Sequence, residues 1–291
     1  MASDALYDAV LGALTLLQVT RGSFSYNQQA VAGTQSGMLD VSEYFGGRAE
    51  PRARFSSTDV GGVLAGISAT AGLAVSSGTI SIPFQKRSNK ATFAGSTSHD
   101  KVTAANGLII PVSASASQDG DASIDLECIF QSTDGTNPIT ISTGQSLGGL
   151  SFNKMWTLGP ASVNSQTIEE VQSITVNFGI GLLIRAHNGM NFPDKVYIQT
   201  RRPSIDITFT DFAELQGFSA QHTVMTAAAV YFRQRSGATF AANNSTTHCK
   251  FSFTDGIVET QVLEASNEQD GTATLRLLGE TLTVSGASAI T

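Results

Sequence analysis

The chain has 291 residues, a formal net charge of −7 and only 14% charged residues. This length suggests one or two domains, and an acidic chain without a basic tail disfavours stable wrapping of nucleic acid on a basic surface. Low charge with 28 glycines is typical of a turn-rich β protein whose surface is partly buried by partners, although an ordinary β protein with a Ser/Thr-rich surface fits as well.

The N-terminal 17 residues predict either a short helix or an arm. No cationic residue precedes the apolar stretch from Ala5 to Leu17, and Asp8 interrupts it, so the stretch fits neither a signal peptide nor a membrane span. The sequence therefore predicts a soluble protein made in the cytoplasm, without membrane insertion.

After the first predicted strand, from Val19 to Asn27, residues 29–44 are predicted to be a loop. A second strand precedes Asp59, which is positioned to cap a short helix at its N-terminus. Asp211 has the same place after the alternating strand with Ile205, Ile207 and Phe209. Asp59 and Asp211 are therefore predicted to be helix caps.

Two long stretches of the chain match each other. Residues 84–126 align with residues 232–277, and the matches include Ala91–Ala94 with Ala238–Ala241, His99 with His248 and Gln118–Gly120 with Gln269–Gly271. Such collinear matches predict an internal duplication.

The duplication extends towards the N-terminus. Thr20–Gln29 matches Thr157–Gln166 at a separation of 137, whereas Gly37–Met38 matches Gly189–Met190 at 152. The difference predicts a fifteen-residue insertion in the second copy. The predicted organisation is an arm or helix at 1–17, a first domain at 18–131, a linker at 132–149, and a second domain at 150–291 with the insertion at about 167–188.

Four dipeptides are predicted to form hairpin turns, because Asn-Gly and Asp-Gly favour tight turns between strands. They are Asn106-Gly107, Asp119-Gly120, Asp255-Gly256 and Asp270-Gly271. Each is followed by residues of β type. The predicted fold class is mainly β, with two tandem copies of a β-sandwich or partial barrel, each with a short flanking α-helix.

Catalytic chemistry is not expected. Gly144-Gln145-Ser146-Leu147-Gly148 matches a nucleophile elbow, but that motif requires alternating strands and helices. His99 and His248 lack further metal ligands at chelating spacing in both copies. Cys128 and Cys249 occupy different positions in the copies and are predicted to be free thiols, wholly or partly buried. No enzyme activity, cofactor or metal is predicted.

The insertion is the strongest functional lead in the sequence. Apolar residues recur there at every second position, which predicts a strand with one buried face. They are Ile174, Val176, Phe178, Ile180, Leu182 and Ile184. The stripe either completes a sheet of its own copy or packs on another subunit, and the second interpretation is slightly favoured.

The strand and capped helix from Ser204 to Leu215, together with the closing segments His248–Glu259 and Gln269–Leu277, resemble the major tail tube proteins of long-tailed, siphovirus-type bacteriophages. The resemblance implies sheets that join between subunits around a channel. Most members form hexameric rings from single domains, and members with two fused domains form trimeric, pseudo-hexameric rings. The duplication places this chain with the second kind.

What the resemblance further implies is a structural virion protein, assembled in the host cytoplasm and located in the tail. Its partners would be copies of itself and tail proteins such as the tape measure and terminator. DNA would pass through the tube without specific binding. Three alternatives stay open: another virion protein of the capsid or tail end, a duplicated β-sandwich binding or adhesion module, and a ring clamp on DNA. The negative charge and the few predicted helices disfavour the clamp.

Overall fold

A computed structural model of the protein describes residues 3–11, 14–34, 36, 40–41, 43–67, 74–76, 79–87, 98–148, 154–218, 223–266 and 269–291. This part of the chain is built mainly from β-strands, with one α-helix and one 3₁₀ helix. The predicted mainly-β class is confirmed. The matched residues Ala91–Ala94 and Gly37–Met38 lie outside the described part.

The strands of the first half are, in chain order, β1 (Ser3–Leu6), β2 (Ala9–Leu11), β3 (Leu14–Leu16), β4 (Val19–Ser25), β5 (Ala30–Gly33), β6 (Glu43–Gly46), β7 (Arg52–Ser57), β8 (Ala74–Ser76), β9 (Ile80–Arg87), β10 (His99–Ala104), β11 (Asn106–Ser117), β12 (Ser123–Gln131) and β13 (Ile139–Gln145). The α-helix, α1, spans Val60–Gly66 between β7 and β8.

The strands of the second half are β14 (Met155–Val163), β15 (Gln166–Ile168), β16 (Val171–Asn177), β17 (Ile180–Arg185), β18 (Lys195–Arg201), β19 (Ser204–Phe209), β20 (Thr223–Met225), β21 (Ala228–Ser236), β22 (Thr239–Phe240), β23 (His248–Phe253), β24 (Gly256–Ser266), β25 (Gln269–Gly279) and β26 (Leu282–Ser288). The 3₁₀ helix, η1, spans Phe212–Phe218 between β19 and β20.

One antiparallel sheet, which we call the shared sheet, runs through both halves of the chain. Its strand order is β20-β24-β25-β19-β16-β11-β12-β7-β4, with β8 added beside β11. The first short sheet has the order β13-β10-β9-β2-β3 with β1 on β9, and the second has β15-β14-β21-β23-β26 with β22 on β21. The hairpins β5–β6 and β17–β18 are separate, and among the described residues no sheet closes into a barrel.

The short sheets and the shared sheet bury one face each in a common hydrophobic core. Ile205, Ile207 and Phe209 of β19 are fully buried, whereas Asp206 and Thr208 between them are only half-buried. Successive side chains of a strand point to opposite faces, so this alternation gives the shared sheet an apolar face and a polar face.

The strand pairings of the second half follow those of the first half in the same order. β7 pairs with β4 and β12, and β19, 152 residues later, pairs with β16 and β25. The hairpins β5–β6 and β17–β18 share one register at the same separation. Gln18 and Glu170, also 152 residues apart, both have positive φ just before β4 and β16. From β8 to β12 the separation of equivalent pairs is 148 or 149 residues.

These pairings correct three sequence predictions. Residues 3–11 and 14–16 are neither an arm nor a helix, because β1, β2 and β3 belong to the first short sheet as β14 and β15 belong to the second. The match of Thr20–Gln29 with Thr157–Gln166 is fifteen residues out of the structural register, so the predicted insertion is wrong. The predicted linker at 132–149 contains β13, which pairs with β10.

The tight turns were predicted correctly at one site of four. Asp119-Gly120 lies in the hairpin between β11 and β12, where the Gly120 N–H donates to Ser117 O at 3.2 Å. Asn106-Gly107 begins β11, and Asp255-Gly256 lies at the start of β24. At both places the chain passes from a short sheet to the shared sheet, so a strand end looked like a hairpin turn. Asp270-Gly271 lies within β25 and is not a hairpin turn.

Candidate assembly interface

Among the described residues, no cluster of three or more potential metal ligands occurs, and no helix has the length and apolarity needed to cross a membrane. The two equivalent histidines are structural: Nδ1 of His99 accepts the Lys86 N–H and Nδ1 of His248 accepts the Gln234 N–H, each at 3.1 Å. Gln145 and Ser146 of the elbow-like motif lie at the end of β13, at a sheet edge.

The predicted helix caps are confirmed. Asp59 Oδ1 accepts the Gly62 N–H at 3.1 Å at the start of α1. Asp211 Oδ1 accepts the Ala213 N–H at 2.9 Å at the start of the 3₁₀ helix η1, which replaces the predicted second α-helix. A carboxylate at this position pairs with a backbone donor that the helix leaves unpaired.

The predicted subunit contact is wrong for its first three members. Ile174, Val176 and Phe178 are buried because their face of β16 belongs to the hydrophobic core of their own chain. The edges of β16 are paired with β11 and β19 in the shared sheet. Phe178 packs edge-on against Phe251 of the second short sheet, with ring centroids 6.3 Å apart. Ile180, Leu182 and Ile184 lie in the β17–β18 hairpin and are half-buried. The alternation correctly indicated a buried face, but the strand is covered by its own chain.

The two halves meet at a junction with three parts, and the first is a strand pairing. β11 pairs with β16 in an antiparallel register from Ser113 opposite Asn177 to Ser117 opposite Ser173. Two further backbone hydrogen bonds flank this register, from Phe178 N–H to Val112 O at 3.1 Å and from Gln118 N–H to Gln172 O at 2.9 Å. The shared sheet is continuous across the chain because of this contact.

Each of these two strands has an equivalent at a sheet edge. By pairing, residues 262–266 of β24 correspond to residues 113–117 of β11, with a bulge at the same place in both hairpins. Residues 21–25 of β4 correspond to residues 173–177 of β16. Within the described residues, neither segment has a strand on its outer side, and Leu263 is 58% exposed.

The second part of the junction is the packing of α1 on the second short sheet. Gly61 lies so close to Trp156 of β14 that a Cβ there would overlap the indole. Gly286 of β26 is also close to the helix, because a Cβ at this position would overlap Gly61 O and crowd Ala65 N. The indole N–H of Trp156 donates to Thr247 O at 3.2 Å and fixes the ring under the helix.

The equivalents of this second contact are exposed. Val284 of β26 is 1% exposed, whereas its equivalent in the first short sheet, Ile141 of β13, is 62% exposed. Likewise, Val60 at the start of α1 is fully buried, whereas Phe212 at the start of η1 is 39% exposed. Among the described residues, the first short sheet thus has no helix at the place where α1 covers β26 of the second short sheet.

The third part is the β17–β18 hairpin, which reaches back onto the first half. The Ser132 N–H donates to Pro193 O at 2.7 Å, and the Ala49 N–H donates to Asn191 O at 2.8 Å. Arg48 also donates from its guanidinium to Ile184 O at 2.9 Å. Leu108 and Ile129, on the side of β11 and β12 opposite the core, are buried where this hairpin contacts both strands.

The polar face of the shared sheet carries paired charges and hydroxyl groups. Arg276 binds Asp206 through two hydrogen bonds, of 2.7 and 3.2 Å, and these bonds raise the pKa of the guanidinium. Arg52 and Arg54 both donate to Glu127 Oε1. Ser56 and Ser113 donate hydrogen bonds to the carboxylate of Asp125. The hydroxyl oxygens of Thr208 and Thr274 are 3.1 Å apart and share a hydrogen bond. Charge on this face is therefore largely satisfied within the sheet.

No protein-family model matches the chain, and no curated protein has a matching sequence. The match of Thr20–Gln29 with Thr157–Gln166 made β4 equivalent to β14, whereas the strand pairings make β4 equivalent to β16. The sequence match therefore did not reveal the interface. The sequence retains one sign of this equivalence, because β4 and β16 both begin with valine, at Val19 and Val171, which are 152 residues apart. Pairing partners are distant in the sequence, so only the folded chain shows which edges correspond.

Proposed function

We propose that the chain is the structural subunit of a phage tail tube, in which copies join edge to edge into trimeric rings and the rings stack around a channel. The observation that carries the proposal is the pairing of β11 with β16 inside the chain. The equivalents of these two strands, β24 and β4, have unpaired edges at opposite ends of the shared sheet. When one end of a molecule binds the opposite end of the next copy, the copies form a closed ring if the rotations between successive copies add up to a full turn.

The junction also supplies the register of the proposed contact. Residues 262–266 of one chain would pair with residues 21–25 of the next, with Leu263 opposite Phe24 and Glu264 opposite Ser23. Glu264 would then be a diagonal neighbour of Arg21, and opposite charges at such positions stabilise sheet pairs. The same step places η1 of one chain on the exposed Ile141 of the next and removes two sheet edges that would otherwise be prone to aggregation.

The proposed number of chains in a ring, three, comes from the resemblance to two-domain tail tube proteins, since each chain would fill two of the six positions of a hexameric ring. Eight long strands of the shared sheet per chain would give a ring of twenty-four strands. Strands about 4.8 Å apart make such a ring at least roughly 37 Å wide between backbones. An acidic chain with paired arginines on its polar face suits a channel that lets DNA pass without holding it.

Light scattering and negative-stain microscopy of the purified chain test the proposal. We expect rings of three chains with six lobes, and tubes at higher concentration. Leu263→Lys should abolish the rings without unfolding the chain, because a lysine on an edge strand opposes pairing and the side chain is exposed. Thr283→Lys, on an exposed position of β26, is the matched control and should assemble normally.

A compact monomer at every concentration and salt condition would overturn the proposal and favour a duplicated β-sandwich binding module. Rings that form equally well with Leu263→Lys would show that the chain assembles through another surface. Tape-measure and terminator proteins are the further partners that the resemblance implies for an assembled tube.

A further inference from the structure

The second half of the chain carries an apolar groove at the place where the first half is covered by the β17–β18 hairpin. Ile257 and Leu278 are 40% and 38% exposed, whereas their equivalents Leu108 and Ile129 are 6% and 0% exposed. Val224, which is 69% exposed, lines the same groove above the buried Met225 and Pro203. Charged residues also line it, namely Arg201, Arg202, Asp255 and Glu280. Such a cluster of exposed apolar side chains indicates an interaction surface.

The covering element in the first half is well defined. β17 contacts β11 and β18 contacts β12, and the half-buried side chains of β18 are Val196 and Ile198. Lys195 and Tyr197, on the other side of β18, are exposed. The face of the hairpin with Val196 and Ile198 is therefore the one that covers the strands.

Within the described part of the chain, a second hairpin of the same register has no comparable contact with the shared sheet. In β5–β6, Tyr44 stands opposite Ala32, as Val196 stands opposite Ile184 in β17–β18, 152 residues later. Tyr44 is 70% exposed. The hairpin thus presents a large aromatic side chain at the position that covers apolar residues in its equivalent.

We infer that the β5–β6 hairpin of one chain covers the groove of the neighbouring chain and inserts Tyr44 beside Ile257 and Leu278. The inference rests on the proposed ring, because the edge pairing of β24 with β4 carries β5–β6 to this groove just as the pairing of β11 with β16 carries β17–β18 to Leu108 and Ile129. The occupant is a second copy of this chain, since the same contact already exists within the chain. Burying a tyrosine in an apolar pocket makes it an anchor of the interface.

Cysteine cross-linking tests the contact directly. β6 would lie over β25, so Tyr44→Cys combined with Leu278→Cys, treated with a short bismaleimide, should give covalent dimers and trimers and no larger ladder. Each single variant should give none, because Cys128 and Cys249 are buried and do not react. Phe45→Cys with Leu278→Cys is the matched control, since Phe45 lies on the opposite face of the hairpin and should cross-link far less.

A second measurement separates this inference from the ring itself. Tyr44→Ser should raise the concentration needed for half-assembly by roughly tenfold or more, with unchanged thermal unfolding of the monomer. Normal ring assembly by Tyr44→Ser, together with no cross-link in the variant with Tyr44→Cys and Leu278→Cys, would overturn the hairpin contact and leave the ring intact. Cross-links without rings would support the contact and reject the ring, and neither cross-links nor rings would overturn both.

Discussion

Gly61 of the first half lies against the indole of Trp156 of the second half, without room for a single additional carbon atom between them. Trp156 is the only tryptophan of the chain and is almost fully buried. The contact brings α1 onto the second short sheet and so joins the halves independently of the strand pairing between β11 and β16. Glycine is required here by the close approach of the helix.

Replacing Gly61 should therefore loosen the junction. Gly61→Val would force the helix away from the rigid indole, and overpacking of this kind costs about 1–3 kcal/mol. We expect the free energy of unfolding in urea to fall by that amount. Gly148→Val is the matched control, because no atom lies within 4 Å of a Cβ at Gly148. Equal stability of the two variants would show that the close approach of Gly61 to Trp156 does not hold the halves together.

The cap of α1 should contribute measurably to stability. Asp59 is buried and its carboxylate accepts the Gly62 N–H, so Asp59→Ala should lower the free energy of unfolding by at least about 1 kcal/mol. Asp59→Asn keeps an acceptor oxygen and should lose less. Chemical denaturation of the three proteins measures the order, and an asparagine variant as unstable as the alanine variant would argue against capping.

The sequence predicted well what is local and poorly what is distant. Asp59 and Asp211 are recognisable as caps in the sequence because a cap depends on residues only two or three positions away. The buried face of Ile174 and Val176 was recognised from alternation, but its partner was assigned to another subunit. Only the fold shows that β16 pairs with β11 of the first half and turns this face into the core of its own chain.

The hairpin-turn predictions were mostly wrong for a related reason. Asn106-Gly107 and Asp119-Gly120 have similar local chemistry, yet only the second connects paired strands. Whether a chain folds back on the same sheet or crosses to another depends on the packing of the sheets. An accidental match of Thr20–Gln29 then displaced the alignment of the N-terminal strands.

The two cysteines should make stability sensitive to alkaline pH. Burial raises the pKa of Cys128, and the charge of Glu127 adds to the effect; burial likewise raises the pKa of Cys249, with a contribution from Asp59. In the unfolded chain a thiol ionises near pH 8.5, while the folded chain keeps it protonated. Folding stability is therefore complete below that pH and is lost as the pH rises, by up to about 1.4 kcal/mol per unit for each thiol.

Urea unfolding at pH 8 and pH 10 measures this loss. The double variant Cys128→Ala and Cys249→Ala is the control, since it should show a smaller decrease between the two pH values despite a lower starting stability. In parallel, a thiol reagent at pH 8 should modify the denatured chain at both cysteines and the native chain at neither. Rapid modification of the native chain would contradict the burial of these groups.

The pairing of Arg276 with Asp206 should keep the polar face of the shared sheet from binding DNA. Asp206→Asn removes the carboxylate that binds the half-exposed guanidinium through two hydrogen bonds, while Glu259 stays opposite Arg276 on β24. The loss of one negative charge makes the guanidinium more available to a phosphate. We expect the variant to bind a fluorescent DNA duplex in low salt more tightly than the natural chain, with a logarithmic salt slope that steepens by about 0.9 for each additional phosphate that is neutralised. The double variant Asp206→Asn and Arg276→Met removes both charges and should return to weak binding. Fluorescence anisotropy across a salt series measures all three proteins, and equal affinity for DNA in all of them would show that this ion pair does not control the face.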